Sequence, residues 1–430
     1  MAHRPLTVAF IPALDRFEDF HDKIGVSFDK FATQLTGGWL FNYIKALRLI
    51  DVRTIVVYTS AHVSQTMQFA HVDTGAPVFV LPSPVVHMKA RSAYERLFPK
   101  SRSVAALTSY LSTPLGELVR LLRREHCDAI LCQEYEHTRF DICAFAGRFL
   151  HVPVFATFQG AGEAGTTLER IIRRRTIPSA AALIVPTRTE AMRVTRTYGI
   201  PATKIAPIPN PVDVISCGPA DRQRVRAELG IGRSTRVVAW HGRIQIRKKG
   251  LDTLVDAWDQ ICAERPSADI LLLLVGSGQN VEDLRARLQS SRKVTWIDRY
   301  VFDRHELWSY LTAADIYTMP SRDEGFAVAP LEAMACGLPV VGSDAPGVID
   351  VLPRGEADGG IILPRENAPA LAKALTRLID DPILASTLGA TGRRRVENEF
   401  SLEAVGRQLR RLLLGADAAD PTPFFNELAK

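Results

Sequence analysis

The sequence predicts an α/β protein built from two consecutive, doubly wound parallel sheets. Short apolar runs alternate with helical segments in the first half, a proline-containing seam follows, and the same alternation then resumes. Continuous apolar strands separated by helices are typical of parallel sheets covered on both faces. At 430 residues the chain is too long for one ordinary core. We therefore expect two Rossmann-like domains with a ligand cleft beyond the carboxyl ends of the strands.

Six apolar runs are the candidate strands of the first domain: 8–12, 54–58, 77–81, 129–132, 154–157 and 182–185. Leucine and valine recur at helical spacing from Leu111 to Leu122, behind Thr113-Pro114, which predicts a capped, half-buried helix. The seam begins at Ile208 and includes Pro209 and Pro211. Because neither proline suits a helix or a central strand, we interpret the seam as a linker that continues through Ser216, Gly218 and Pro219.

Five runs are the candidate strands of the second domain: 237–240, 270–275, 294–296, 316–319 and 340–341. The predicted domains are therefore 1–207 and 208–400. Residues 402–414 have the apolar spacing of a helix that docks, and 416–430 read as a loosely held tail.

The composition is that of an ordinary soluble globular protein, with 47% hydrophobic and 23% charged residues. Six scattered cysteines form no Cys-x-x-Cys pair, which favours a reducing compartment and excludes a disulfide framework. No apolar run approaches the roughly 18 residues of a membrane span, and Leu6–Leu14 reads as a first strand rather than a signal peptide. We expect a cytoplasmic protein without a nucleic-acid partner, although its net charge of +6 permits contact with phosphates or anionic membranes.

The stretch from Ser321 to Gly342 combines a strand end, a loop, a short helix and the next strand. Pro330 suits the first turn of the helix and Gly337 suits its left-handed stop. Glu324 on the loop and Glu332 in the helix are eight residues apart. A helix N-terminus favours an anionic ligand, and carboxylates beside it are better explained as acceptors for sugar hydroxyls. The alternative for Glu332 is a glutamate that only interacts with the helix dipole.

Two basic residues follow the first strand of the second domain. Arg243 lies at the strand end and Lys249 precedes the next helix, so both could hold a diphosphate without a metal. A solvated basic turn is the alternative. Gly37-Gly38 precedes an apolar-periodic helix and would let the backbone approach a ligand. Gly276-Ser277-Gly278 lacks the third glycine of a dinucleotide fingerprint.

Glu324-Gly325-Phe326, followed by the run Glu332 to Val341, closely resembles the Glu-x7-Glu signature of retaining GT-B glycosyltransferases of the group 1 family. The pairs Gly242-Arg243 and Lys249-Gly250 resemble the same family's donor-phosphate residues. The resemblance implies a GT-B fold and metal-independent transfer of a hexosyl group from a nucleoside-diphosphate sugar to an unidentified hydroxyl. It also implies no cofactor, because the nucleotide-sugar is a substrate.

Residue by residue, the resemblance implies catalytic roles for Glu324, Arg243 and Lys249, with Glu324 holding sugar hydroxyls and Glu332 the ribose. Further donor contacts are implied for Gly37, Gly38, Gly325, Phe326, Ala327, Val328, Gly276, Gly278 and Arg299. The acceptor-side candidates are Gln133, Glu134, His137 and Gln159. Gln133 and Gln159 stand where relatives often have histidine. The final helix, 401–415, is expected to pack back onto the first domain.

Three other functions remain open at the level of sequence. A GT-B sugar-nucleotide epimerase needs acid/base groups in the cleft, and a non-catalytic sugar-nucleotide-binding protein needs none. A phosphate-binding kinase or NTPase is disfavoured because no Gly-x4-Gly-Lys-Ser/Thr loop occurs. Two basic clusters read as solvated helix faces or as contacts for an anionic membrane: Lys89, Arg91, Arg96, Lys100 and Arg102, and Arg170 with Arg173 to Arg175. The oligomeric state, monomer or dimer, remains open.

Overall fold

Two predominantly parallel sheets organise the chain. The computed structural model describes residues 4–36, 38–160, 165–215 and 221–415. Contacts divide the described residues into unit 1, drawn from 1–35, 43–209 and 406–430, and unit 2, drawn from 36–42 and 210–405. The chain thus passes from unit 1 to unit 2 between Pro209 and Asn210.

The sheet of unit 1 contains eight described strands: β1 Thr7–Ile11, β2 Arg53–Ser60, β3 Met67–Ala70, β4 Pro77–Pro82, β5 Ala129–Gln133, β6 Val154–Thr157, β7 Ala182–Ile184 and β8 Ile205–Ala206. Their spatial order is β3-β4-β2-β1-β5-β6-β7-β8, and only β3 pairs antiparallel. The chain winds outward from β1 in one direction and from β5 in the other. The boundary between β1 and β5 is therefore the topological switch point of unit 1.

The helices of the first half are α1 Glu18–His21, α2 Phe28–Thr33, α3 Trp39–Arg48, α4 Val85–Leu97, α5 Arg102–Tyr110, α6 Leu115–Arg124, α7 Thr138–Leu150, α8 Thr167–Thr176 and α9 Arg188–Tyr198. The helices of the second half are α10 Arg222–Glu228, α11 Ile246–Lys249, α12 Leu251–Glu264, α13 Val281–Leu288, α14 Arg304–Ala313, α15 Val328–Ala335, α16 Ala368–Asp380, α17 Pro382–Arg395 and α18 Leu402–Leu414. In α18, a Cβ added to Gly406 would lie 2.8 Å from the carbonyl oxygen of Ala46 in α3. The last helix therefore packs closely against α3 within unit 1.

The sheet of unit 2 contains six described strands, all parallel: β9 Arg236–His241, β10 Ile270–Val275, β11 Val294–Ile297, β12 Ile316–Met319, β13 Val340–Ser343 and β14 Gly360–Leu363. Their order is β11-β10-β9-β12-β13-β14. This is the doubly wound order of dinucleotide-binding folds, with its switch point between β9 and β12.

Both faces of the unit 2 sheet are buried. Val237 and Ala239 of β9 belong to one apolar cluster, and their neighbours Val238 and Trp240 belong to another on the opposite face. Side chains alternate between the faces of a strand, so an unbroken apolar run needs a helical layer on each side. The predicted fold class, two parallel-sheet α/β domains, is confirmed.

Several local expectations need correction. Thr113 does not cap α6, because the N-cap is Pro114 and makes no side-chain cap bond; the helix starts at Leu115, so Leu111 lies outside it. Val212, in the predicted linker, forms a parallel bridge with Ser401. Strands β3, β8 and β14 are additional to the prediction. Gly37, Ser216 to Pro219 with Cys217, and the predicted tail 416–430 lie outside the described residues.

Candidate functional site

At the switch point of unit 2, the loop after β12 contacts the end of α11. Lys249 Nζ donates to both carboxylate oxygens of Glu324 at 2.8 Å, and Ser321 Oγ donates to Glu324 Oε1 at 2.6 Å. The side chains of Lys249 and Glu324 are 17% and 9% exposed. Sequence analysis assigns both residues to one site, and the fold brings them into direct contact.

Glycine makes this approach of two loops possible. Gly250 has a φ of +64° and follows Lys249 directly. A Cβ at Gly250 would lie 1.9 Å from the carbonyl oxygen of Pro320, the residue that follows β12. Such a contact is far shorter than packed atoms tolerate, so the backbones of the two loops cross only because position 250 has no side chain.

A second crossing fixes the other side of the Glu324 loop. A Cβ at Gly347, whose φ is +78°, would lie 2.6 Å from the carbonyl oxygen of Glu324. The Gly347 carbonyl accepts the N–H of Ala327, the N-cap of α15, at 3.1 Å. No side chain caps α15, so its first N–H groups and the positive end of its dipole remain beside Glu324.

Glu332 lies in α15 and is almost completely buried, at 4% exposure. Its Oε2 hydrogen-bonds His241 Nε2 at 2.8 Å, and its Oε1 is paired with Arg304 at 2.5 Å. Burial raises the pKa of Glu332, but Arg304 and His241 outweigh it and hold the pKa below its ordinary value. His241 and Arg304 were missed by sequence reasoning. His241 ends β9 immediately before Gly242-Arg243, which was the available signal.

The loops after β9 and β10 lie side by side. A Cβ at Gly276 would come within 2.0 Å of the Gly242 carbonyl oxygen, and one at Gly278 within 2.6 Å of the Ile244 carbonyl oxygen. Both glycines are thus explained by packing of one loop on the other, independently of any ligand. Arg243 projects from this paired edge with an exposed side chain.

Other predicted donor residues have diverse surroundings. The Phe326 side chain is buried in the core, and Ala327 and Val328 begin α15. Arg299 is exposed and pairs with Glu306 and Tyr310 on α14. The structure therefore does not bring Arg299 into contact with Lys249 or Glu324.

The segment that contains the glycine pair belongs to unit 2. Thr36 Oγ1 accepts the N–H of Arg304 at 3.1 Å, and Gly38 has a φ of +121°. Thr36 therefore lies against the start of α14, whose first residue, Arg304, pairs with Glu332.

At the switch point of unit 1, Asp15 follows β1 and His137 follows β5. His137 Nε2 lies 3.8 Å from Asp15 Oδ1. Burial lowers the pKa of His137 to about 4, with Asp15 opposing the shift. Burial raises the pKa of Asp15, but His137, Ser109 and Arg139 together bring it below its ordinary value. Asp15 and Arg139 were missed by sequence reasoning, since nothing adjacent in the chain marks them.

The other acceptor-side candidates are held by backbone hydrogen bonds. Gln133 Oε1 accepts the N–H of Ala13 at 3.0 Å, and Glu134 Oε1 accepts the N–H of Gln159 at 2.7 Å. Glu134 has a φ of +56°, a strained value for a residue with a side chain. Strain of this kind is common at functional sites, where the surrounding structure holds the residue in place.

A buried polar cluster lies behind His137 on α7. Asp141 is fully buried, and Tyr110 and Thr176 donate hydrogen bonds to its two oxygens. Burial raises the pKa of Asp141 to about 6. Arg173 lies 4.0 Å from the same carboxylate and is itself buried, so the predicted solvent-exposed arginine cluster reduces to Arg170, Arg174 and Arg175.

In the part of the chain that the structure describes, no group of three or more His, Cys, Asp or Glu side chains is arranged to hold a metal ion. Among the same residues, no helix has both the length and the apolar character required to cross a membrane.

The fold is that of a two-domain, Rossmann-like protein with a polar cluster at the switch point of each sheet. Residues 235–381 match the family model described as glycosyl transferases group 1, and residues 74–216 match glycosyltransferase family 4. The two ranges do not overlap and together cover most of the chain. Two separate parts of the chain therefore match glycosyltransferase family models, in agreement with the resemblance.

Curated proteins that are similar to part of this chain are named as glycosyltransferases. A GDP-mannose-dependent monoacylated α-(1-6)-phosphatidylinositol monomannoside mannosyltransferase from Corynebacterium glutamicum is 35% identical over 218 residues, which cover 48% of this chain and 55% of the relative. A D-inositol 3-phosphate glycosyltransferase from Pseudarthrobacter chlorophenolicus is 32% identical over 52% of this chain and 53% of the relative. The match thus spans about half the length of each of these relatives.

Solved structures support the fold across almost the whole chain. Anabaena HepE in complex with UDP has a TM-score of 0.70 at 16% identity, covering 95% of this chain and 100% of that one. Sucrose-phosphate synthase from Thermosynechococcus elongatus has a TM-score of 0.67 at 21% identity, covering 96% and 100%. These likenesses establish the GT-B type of fold.

Proposed function

We propose that this protein transfers a hexosyl group from a nucleoside-diphosphate sugar to an acceptor hydroxyl, with retention of anomeric configuration and without a metal. The observation that carries the proposal is the Lys249–Glu324 pair at the switch point of unit 2. It lies within the range that matches group 1 glycosyl transferases and beside the uncapped end of α15. A cation, a carboxylate and a helix N-terminus together suit a phosphorylated sugar.

Each group has a distinct part in the proposed reaction. The bond between the anomeric carbon and the diphosphate oxygen breaks, and negative charge develops on the departing diphosphate. Arg243, Lys249 and the N–H groups at the start of α15 stabilise that charge. Glu324 accepts hydrogen bonds from sugar hydroxyls, and Lys249 holds its carboxylate in place. The acceptor hydroxyl forms the new bond on the face from which the diphosphate leaves, and its proton passes to that diphosphate.

Glu332 is proposed to accept hydrogen bonds from the ribose hydroxyls. Its present partners determine what a bound ribose must displace. Both its oxygens are engaged, by Arg304 and by His241. A ribose must therefore displace one partner or share an oxygen with it. Arg304 sits at the first position of α14, next to the Thr36 segment, and is the partner that a bound donor would move.

Transfer is tested by incubating the purified protein with UDP- and GDP-sugars, with and without EDTA. The probes used as acceptors are D-inositol 3-phosphate and octyl α-mannoside, chosen because the curated relatives have inositol-phosphate and mannoside substrates in their names. We expect one donor to yield a glycoside with the donor's anomeric configuration by NMR, equally with EDTA. Epimerised donor without transfer would favour the isomerase, and binding without turnover would favour the non-catalytic protein.

We also propose that the protein acts in the cytoplasm, where α4 and α5 contact the anionic inner face of the membrane. Five apolar side chains of this segment are between 53% and 61% exposed: Val85, Val86, Leu97, Phe98 and Leu107. Lys89, Arg96 and Lys100 are exposed among them. Apolar side chains interspersed with cations complement an anionic lipid surface, to which each cation contributes about 1 kcal/mol.

This contact is tested by sedimentation with vesicles. The wild-type protein should sediment with phosphatidylglycerol vesicles and not with phosphatidylcholine vesicles. Phe98→Asp should abolish sedimentation, whereas Val72→Asp, at a 71% exposed position outside the segment, should not. Equal loss in both variants, or equal binding to both lipids, would contradict the proposal.

A further inference from the structure

We propose that His241 is a positioning residue that fixes the Glu332 carboxylate, so that the site distinguishes ribose from deoxyribose in the nucleoside diphosphate. The inference rests on the proposed function, in which Glu332 accepts hydrogen bonds from the ribose hydroxyls. His241 acts through Glu332, whose Oε2 lies 2.8 Å from His241 Nε2. The inference therefore adds a residue that determines how selectively the site binds its nucleotide.

The central strands of unit 2 hold the His241 ring in place. His241 is the last residue of β9 and lies opposite Val275 of β10 in the parallel register. On the other side, Tyr317 of β12 is completely buried and its hydroxyl donates to the His241 carbonyl at 3.3 Å. The centroids of the Tyr317 and His241 rings are 5.3 Å apart. A side chain on packed strands is held more precisely than one on a loop, so the ring is a rigid anchor.

The surroundings of the His241 ring determine where its proton lies. An ionised carboxylate can only accept hydrogen bonds, so Nε2, which faces Glu332, carries a proton. Nδ1 is buried, and no polar atom of the described residues is hydrogen-bonded to it. In the neutral ring the single proton therefore lies on Nε2. Such a ring orients the carboxylate without neutralising its charge, which stays available for hydroxyl groups.

The two partners of Glu332 are held differently. Arg304 reaches Oε1 at 2.5 Å from the first position of α14, at the end of a long side chain. His241 has a short side chain and lies in the sheet. A ribose hydroxyl can therefore replace Arg304 at Oε1 while His241 keeps Oε2 in position.

His241 also affects the charge of Glu332 after Arg304 moves. Burial raises the pKa of Glu332, and both Arg304 and the hydrogen bond from His241 lower it. When Arg304 is displaced, the hydrogen bond from His241 still opposes the effect of burial. The carboxylate then stays ionised and accepts a hydrogen bond from the ribose.

An anchored carboxylate with one free oxygen selects a hydroxyl donor. Deoxyribose has a C–H where ribose has an O–H, so it would leave a buried carboxylate oxygen without a partner. A site built around such a hydrogen bond rejects the analogue that lacks the hydroxyl. A carboxylate without its anchor could rotate away or take up a proton, and the penalty for deoxyribose would then be smaller.

Three substitutions at position 241 separate the hydrogen bond from the shape of the ring. His241→Gln places an amide N–H donor near the position of Nε2, and His241→Met has nearly the same length without a donor. His241→Asn has a donor that reaches only the position of Nδ1. His71→Met in unit 1 is the control for loss of a buried histidine, because His71 is 2% exposed and its Nε2 hydrogen-bonds the Leu35 carbonyl.

The measurement is a ratio of two Kd values from isothermal titration calorimetry. The ligands are whichever of UDP, GDP and ADP binds the wild type most tightly, and the 2′,3′-dideoxy form of the same nucleotide. We expect the wild type to bind the ribose form about 10- to 100-fold more tightly. His241→Met and His241→Asn should lower this ratio about 3- to 10-fold by weakening binding of the ribose form. His241→Gln and His71→Met should keep the ratio within about twofold of the wild type.

The outcomes separate this inference from the function on which it rests. If none of the three nucleotides binds the wild type, the proposed function fails and the inference fails with it. If the wild type binds one of them without distinguishing its two forms, the inference is wrong and the proposed function stands. The same conclusion follows if His241→Met and His241→Asn keep the wild-type ratio.

The remaining outcomes exclude a merely structural role for His241. Failure of His241→Gln to restore the ratio, through loss of folding or otherwise, would overturn the inference, because a donor at that position is all that it requires. An equal fall of the ratio in His71→Met would attribute the effect to destabilisation and would also overturn it. Circular dichroism identifies a variant that does not fold, and His241→Asn replaces His241→Met in that case.

Discussion

The two units place polar clusters at equivalent points of their sheets, yet the clusters are built differently. In unit 2, two close charged pairs form: Lys249 after β9 pairs with Glu324 after β12, and Arg304 after β11 pairs with Glu332 in α15. In unit 1, the residues after β1 and β5 form a spaced pair, Asp15 and His137, 3.8 Å apart. The first arrangement brings opposite charges into direct contact, whereas the second keeps two polar side chains apart. The same topology therefore supports two kinds of recognition, determined by a few loop residues.

The two clusters also differ in the contacts that hold them in place. The loops of unit 2 are fixed by glycines at crossings that leave no room for a Cβ, at Gly250, Gly276 and Gly347. The pair in unit 1 is fixed by hydrogen bonds, from the Ser109 hydroxyl to Asp15 and from the Arg139 backbone N–H to His137. We therefore expect substitutions in unit 2 to act mainly through backbone clashes and unpaired charge, and those in unit 1 through protonation.

The largest expected effect tests the crossing in unit 2. Gly250→Ala should lower the free energy of unfolding by about 3 kcal/mol or more, because its Cβ clashes with the Pro320 carbonyl and its φ is positive. Gly230→Ala has nearly the same φ, +67°, with open space around it, and should cost about 1 kcal/mol. Tryptophan fluorescence during urea unfolding measures both, since Trp240, Trp258, Trp296 and Trp308 all lie in unit 2. Equal losses of unfolding free energy in the two variants would mean that the close approach of Gly250 to Pro320 imposes no constraint.

A smaller effect tests the buried charges of unit 2. Glu332→Gln leaves Arg304 without its carboxylate and should destabilise unit 2 by about 2–4 kcal/mol in the same urea assay. Glu306→Gln removes the partner of Arg299, an exposed pair, and should cost less than about 1 kcal/mol. If both substitutions lower the free energy of unfolding equally, Glu332 and Arg304 do not form the buried ion pair that the structure shows.

The smallest effect concerns the protonation of unit 1. His137 has a folded pKa of about 4, below its ordinary 6.5, so the unfolded chain binds more protons and stability falls as pH drops from about 6.5 to 4. Asp141 has a folded pKa of about 6, above its ordinary 3.8, so stability rises as pH drops from about 6 to 4. The two trends oppose each other in the wild type.

Substitution should separate these trends. Relative to the wild type, His137→Asn should lose less stability on acidification from pH 6 to 4.5, and Asp141→Asn should lose more, each difference being on the order of 1 kcal/mol. Urea unfolding followed by circular dichroism at the two pH values measures both changes. Parallel slopes in the two variants would show that neither group has the protonation behaviour assigned to it.

Sequence reasoning was strong where residues that act together are close in the chain. The strands β9 to β13, α15 and the choice of Lys249 and Glu324 followed from apolar runs and a motif with local spacing. It was weak where the fold assembles distant residues. Asp15 and His137 are 122 positions apart, and only the adjacency of β1 and β5 brings them together. Arg304 was missed for the same reason, because its partner Glu332 lies one strand further along the chain.

The glycines illustrate a second limit. The sequence singled out Gly276 and Gly278 for a ligand, and the structure gives them a packing reason in the neighbouring loop of Gly242 and Ile244. A glycine in the sequence indicates close approach of something to the backbone. Whether that is a ligand or another loop depends on contacts that sequence spacing does not contain.

Binding of nucleoside diphosphates is the most direct test of the account. Tm should be measured with UDP, GDP and ADP, with and without EDTA, for the wild type and for Arg243→Met, whose side chain is exposed and whose loss should not impair folding. The account predicts that one nucleotide raises the wild-type Tm equally with EDTA, and that the shift is much smaller in Arg243→Met. If no nucleotide changes Tm, or if Arg243→Met responds as the wild type does, unit 2 is not the donor site.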